Sequence, residues 1–143
     1  MSKWIIGVDP DVEESGVAVY TPSEQHIYLE KLKFFKLFDF LRLKHQLINL
    51  VVIEAGWLNK GNWHMVKGSL AQNAEIGRRT GANHEVGKKI VEMCQYLNQR
   101  HKLIRPTRTK VSHELFVEKT GWKGRTNQEF RDACLLVWGM EIK

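Results

Sequence analysis

The chain alternates short apolar runs with amphipathic stretches. Trp4-Ile5-Ile6-Gly7-Val8 is a compact apolar run that stops at Asp9 and Pro10. A run of that length bounded by a turn signal predicts a buried β-strand. Pro10 lacks a ladder donor and fixes φ, so the strand should end there. Gly16 to Tyr20 predicts a second strand. Gln25 to Leu32 alternates polar with apolar, the mark of a half-buried third strand. The connections are short enough to make these three an antiparallel meander. Residues 33–47 space Phe34, Phe35, Leu37, Phe38, Leu41 and Leu47 as a helix with a basic face. Leu50-Val51-Val52-Ile53-Glu54 then repeats the opening theme, a continuous apolar strand closing on a carboxylate.

Residues 55–82 are the least regular part, with some helix expected within 66–76. From Ala82 to about Arg100, the positions Val86, Ile90, Val91, Met93, Cys94 and Leu97 mark a long amphipathic helix. Leu103-Ile104 predicts a short last strand, and after Lys110 a helix follows through about Lys119. A final helix is expected through Trp138, capped by Thr126 or Asn127, with Glu129 completing a capping-box-like pattern.

Two features of this pattern carry chemistry. Asp9 and Glu54 each end a buried strand. If the second strand is reached through a helix and runs parallel to the first, both acids emerge at one rim. An Asp before Pro is ordinary turn chemistry, but its recurrence at Glu54 is not. Glu129 and Asp132 are three residues apart and share a helical face. An acid near a helix start can serve only the macrodipole or a nearby arginine, yet Asp132 directly precedes an apolar run that must pack on the sheet. Converging carboxylates repel one another and take up protons unless cations neutralise them. Oxygen ligands of this kind select Mg²⁺ or Mn²⁺ rather than zinc. Two such ions roughly 4 Å apart activate a water and stabilise the leaving oxygen of a phosphodiester. Asp9, Glu54, Glu129 and Asp132 are therefore the candidate metal ligands.

Charge sharpens this picture. The net charge of +6 and pI near 9.4 favour a polyanionic partner. Trp57, Trp63, Lys67, Arg78 and Arg79 interleave rings and cations on a Gly-rich segment, as suits nucleic acid, and Lys88 and Lys89 add a basic helix face. The plainer alternative is that the tryptophans fold back onto the core. At 143 residues and 43% hydrophobic, the chain fits one α/β domain over 1–143. No membrane span or signal peptide is expected, and Cys94 and Cys134 read as buried free thiols of a cytoplasmic protein.

The order of three antiparallel strands, helix, strand, helix, strand and helix resembles the ribonuclease H-like fold. That fold would give a five-stranded mixed sheet flanked by helices, the last two strands parallel to the first. Within that superfamily the chain is similar to RuvC-type Holliday-junction resolvases, particularly compact phage-like members. The matching residues are Ile6-Gly7-Val8-Asp9-Pro10, Gly16-Val17, Val52-Ile53-Glu54, Val86-Gly87, Pro106 with Lys110, and Glu129-x-x-Asp132-Ala133. The resemblance implies that Asp9, Glu54 and Asp132 are metal-binding acids, with Glu129 where the family places a fourth acid or a histidine. It implies a phosphate-side role for Lys110. It further implies two Mg²⁺ ions per site, with Mn²⁺ able to substitute, a homodimer, branched DNA as partner, and a bacterial or phage-infected cytoplasm. Asp11 stands where the family usually has glycine, and the insertion after Glu54 is long. Action on a flap or an RNA–DNA hybrid, and a non-catalytic nucleic-acid-binding module of the same fold, are the alternatives.

Overall fold

The computed structural model describes residues 2–59, 69–106 and 110–143. Its elements are β1 (Trp4–Asp9), β2 (Ser15–Thr21), β3 (His26–Leu32), α1 (Phe34–Leu43), β4 (Ile48–Glu54), α2 (Leu70–Tyr96), β5 (His101–Ile104), α3 (His113–Thr120) and α4 (Gln128–Leu135). The sheet order is β3-β2-β1-β4-β5. β1, β2 and β3 pair antiparallel, while β4 lies parallel to β1 and β5 parallel to β4. This is the mixed sheet that the sequence predicted.

Period-2 alternation distributes the apolar residues between two layers. Ile6, Val8, Val51 and Ile53 join Leu37 and Leu41 of α1 and Ile90, Met93 and Cys94 of α2. Ile5, Leu50 and Val52 join Phe116 of α3 and Ala133 and Cys134 of α4. The two cysteines are buried and free, in separate layers, and burial pushes both thiols up to about 12.

Close approach of α4 to the sheet depends on two glycines. A Cβ at Gly7 would lie 2.2 Å from the Ala133 carbonyl oxygen, and one at Gly16 would lie 2.9 Å from that of Glu129. Bare backbone at these two positions therefore sets how deeply the α4 acids sit over the strand ends.

Several boundaries differ from expectation. α1 stops at Leu43, and His45–Leu47 form a separate 3₁₀ turn before β4. β5 begins at His101 rather than Leu103. The largest difference is α2, which runs unbroken from Leu70 and joins the helix expected within 66–76 to the one expected from Ala82. Ser69 and Gln72 form a reciprocal capping box at its start, and an Arg78–Glu75 pair bridges one turn of its first half. That half is largely exposed, so it has no apolar stripe to betray it, and Gly77 and Gly81 read as loop. α4 gives way to a turn after Leu135 instead of running to Trp138. Asn127 caps it by accepting from the Phe130 amide, and Glu129 closes no capping box.

Candidate metal centre

The site follows from strand parity. Gly7 pairs with Val52 and Val8 with Ile53, so one step further along these parallel strands stand Asp9 and Glu54. Both fall on the face covered by α4. Asp9 is also directly opposite Gly16, which in turn is opposite Lys31. A row Lys31, Gly16, Asp9, Glu54 therefore crosses the sheet beneath the start of α4.

The two acids of α4 divide between the ends of this row. Asp132 joins Asp9 and Glu54, and one carboxylate oxygen of each lies within 4.8 Å of the others. Glu129 leans the other way, its Oε2 3.2 Å from Lys31 Nζ. That oxygen is buried and, among the described residues, has no hydrogen-bond partner beyond this ion pair. Glu129 still borders the cavity the other three face, and its charge reaches Asp9.

Asp132 is held at both oxygens. Gln128 Nε2 donates to Oδ1 at 2.8 Å, and Lys110 Nζ donates to Oδ2 at 3.0 Å. Gln128 is fixed in turn by Arg131, whose Nη2 donates to its Oε1 at 3.1 Å. The Arg131 guanidinium is anchored on the Val111 carbonyl and the Thr126 hydroxyl, both at 2.8 Å. Gln128 went unnoticed in the sequence, and Arg131 stood there only as a direct partner for Asp132, whereas it acts through Gln128. The i, i+4 spacing of Gln128 and Asp132 was a usable signal; the contacts of Arg131 with 111 and 126 were not.

Burial, then the charges of Glu54, Asp132 and Glu129, push the Asp9 carboxyl up to about 8 against the opposing pull of Lys110. Burial also raises Glu54, with Asp132 adding to the rise and Lys110 opposing it. Burial alone would lower the Lys110 ammonium, but its hydrogen bond to Asp132 and the charges of Asp132, Glu54 and Asp9 raise it. Without a cation the clustered acids therefore hold protons well above the usual carboxylate range, Asp9 up to about pH 8. Clustered hard oxygen ligands of this kind fit a divalent cation such as Mg²⁺ or Mn²⁺.

The acids open into a cavity of about 380 Å³ whose opposite wall is the first half of α2, through Ile76, Arg79, Thr80, Asn83 and His84. Two contacts tie this wall to the β1–β2 turn. The Val12 amide donates to Asn83 Oδ1 at 2.8 Å, and Arg79 lies 3.6 Å from both Asp11 and Glu13. Asn83 and His84 went unnoticed as cavity residues because the reach of α2 over the acids was itself unexpected.

The residues expected to meet nucleic acid are dispersed. Arg79 and Trp57 border the cavity. Trp57 also packs against the α1–α2 core layer, with its ring over Gly87 and edge-on to His84 at 6.4 Å between centroids. Arg78, Lys88 and Lys89 are exposed on α2, paired with Glu75, Glu85 and Glu92 respectively. Trp63 and Lys67 lie outside the described residues.

No protein-family model matches the sequence, and no curated protein is recognisably related to it. Among solved structures the chain is similar to T. thermophilus RuvC in complex with Holliday junction substrate. The TM-score is 0.57 at 13% identity, over 95% of this chain and 90% of that one. The fold is that of RuvC. A second Thermus thermophilus RuvC structure aligns at TM-score 0.49 and 12% identity, over 94% of this chain and 90% of that one. The RuvC fold accounts for the strand order and for the ribonuclease H-like arrangement of helices on both faces. Among the described residues, no helix is long and apolar enough to cross a membrane.

Proposed function

We propose that this chain is a divalent-metal-dependent endonuclease that cuts branched DNA, with the four-way junction as its substrate. The observation that carries the proposal is the convergence of Asp9, Glu54 and Asp132 from two adjacent strand ends and a helix, at a cavity also bordered by Lys110 and Arg79. Support for the substrate comes from the RuvC fold, whose structural neighbour is bound to a Holliday junction.

Divalent cations held by these carboxylates supply activation of a water and stabilisation of the leaving oxygen of a phosphodiester. The chain's own residues do the rest. Asp9 and Glu54 present their carboxylates from rigid strand ends, and Gln128 fixes the rotation of Asp132 through its Oδ1. Lys110 and Arg79 offer positive charge to the DNA backbone from opposite walls. Glu129 adds negative charge at the Lys31 side of the row. Because a four-way junction presents symmetric strands, two copies of the chain would cut it as a homodimer.

The test is a gel assay on a labelled four-way junction beside matched linear duplex, flap and RNA–DNA hybrid, in Mg²⁺, Mn²⁺ or EDTA. Paired symmetric nicks are expected that require metal and vanish in Asp9→Asn. Preferential cutting of flap or hybrid would keep the metal centre and discard the junction. Junction binding without cutting in either metal would identify a non-catalytic binding module.

A further inference from the structure

Asp132 is bound asymmetrically. Its Oδ1 partner Gln128 is locked through Arg131 to the Val111 carbonyl and the Thr126 hydroxyl. Its Oδ2 partner Lys110 is an ammonium on a flexible stem, just ahead of α3, with Asp132 as its partner among the described residues. Asp132 is only 14% exposed in its side chain, whereas Lys110 is 40% exposed. One contact is built to stay and the other can leave.

A monovalent ammonium is a poor match for this centre. It faces three carboxylates and carries half the charge of the ion their oxygens suit. A divalent cation among the same oxygens attracts them more strongly and repels the ammonium. Once displaced, Lys110 remains at the cavity that the scissile strand would occupy, with a phosphate as its natural next partner.

We infer that Lys110 is an exchangeable counter-cation. In the metal-free protein it occupies Asp132 Oδ2, and metal loading transfers it from that carboxylate to the DNA phosphate. This rests on the metal-nuclease reading and adds a coupling to it: the contribution of Lys110 to DNA binding should appear only when metal is bound. The device keeps the charged centre partly neutralised between turnovers and makes a phosphate contact depend on a loaded site.

Two measurements on the same proteins test the exchange. Free Mn²⁺ is followed by electron paramagnetic resonance during titration of wild type, Lys110→Met and Asp9→Asn. Four-way-junction affinity is measured for wild type and Lys110→Met in EDTA and in non-cleaving Ca²⁺. If Lys110 competes with the cation, Lys110→Met binds Mn²⁺ roughly three- to tenfold tighter, allowing for the solvent screening of a partly exposed pair. Its junction affinity should match wild type in EDTA and fall several-fold below it in Ca²⁺. Unchanged or weaker Mn²⁺ binding by Lys110→Met, or an equal loss of junction affinity with and without Ca²⁺, would overturn the exchange while leaving the metal centre intact. Absence of an Asp9-dependent Mn²⁺ site in wild type would instead sink the metal-nuclease reading, and the exchange with it. Lys110→Gln, which keeps a donor without the charge, replaces Lys110→Met if that variant does not fold in EDTA, and the same outcomes apply.

Discussion

Asp9 shows how one side chain can hold a site in tension. Its carboxyl is raised from 3.8 to about 8, chiefly by burial and then by the neighbouring acids. A group whose pKa is raised on folding contributes its stability in full below the unfolded value and loses it as pH climbs through the folded one. The metal-free protein should therefore lose stability between about pH 4 and pH 8. In thermal unfolding with EDTA, the midpoint is expected to fall across that window by the equivalent of several kcal/mol, and Asp9→Asn should flatten most of the slope. Saturating Mn²⁺ should flatten it too, because the charged form is then the one the site prefers. A midpoint in EDTA that does not move with pH would show that Asp9 is not confined as described.

At the level of elements, α2 does two jobs with its two halves. The second half buries Ile90, Met93 and Cys94 in the core, while the first half reaches over the acids. They join near Gly87, where the helix backbone meets the Trp57 ring. A Cβ there would lie 2.4 Å from Trp57 Cζ3 and 3.2 Å from Pro10 Cγ. Neither neighbour can yield easily, since Trp57 is wedged into the core layer and Pro10 follows directly on Asp9. Gly87→Ala should cost about 1–3 kcal/mol in denaturant unfolding. In a Trp57→Ala background most of that penalty should disappear, since the clashing ring is gone. Full additivity of the two changes would mean the ring does not rest on Gly87. The same packing makes loss of stability the first expected effect of Trp57→Ala.

Across the whole molecule, a net charge of +6 does not amount to a uniformly basic surface. Arg78, Lys88 and Lys89 each have an acid one helical turn away, although exposed pairs of this sort are weak. Arg79 also has acidic neighbours, Asp11 and Glu13, but it differs in bordering the cavity itself. Junction binding should weaken steeply as salt rises. Arg79→Ala should reduce the slope of log affinity against log salt by about one. Arg78→Ala, on the outer side of the same helix, should leave it nearly unchanged. The reverse ranking would place the DNA on the outer face of α2.

Local pattern was enough to place the strands and to put Asp9 and Glu54 at the ends of β1 and β4. Apolar runs at 4–8 and 50–53 closing on Asp9 and Glu54, with short links early and helical links later, were enough to predict a mixed sheet with two acids at one rim. Those signals are local or nearly so: hydrophobic period, turn residues and connection length. Only the packing of α4 selects which of Glu129 and Asp132 joins them. Residues three apart on a helix point about 60° apart, so spacing permits either or both. Gly7 and Gly16 admit the α4 backbone against the sheet at one rotation. That rotation places Asp132 over Asp9 and Glu54, and Glu129 over Gly16 toward Lys31. The reach of α2 was hidden for a related reason, because an exposed half-helix leaves no apolar stripe, and its role exists only where Asn83 and Arg79 meet the β1–β2 turn. The chain's own pattern could name the carboxylates, but their division between a candidate metal centre and an ion pair is a matter of how a helix rolls on a sheet.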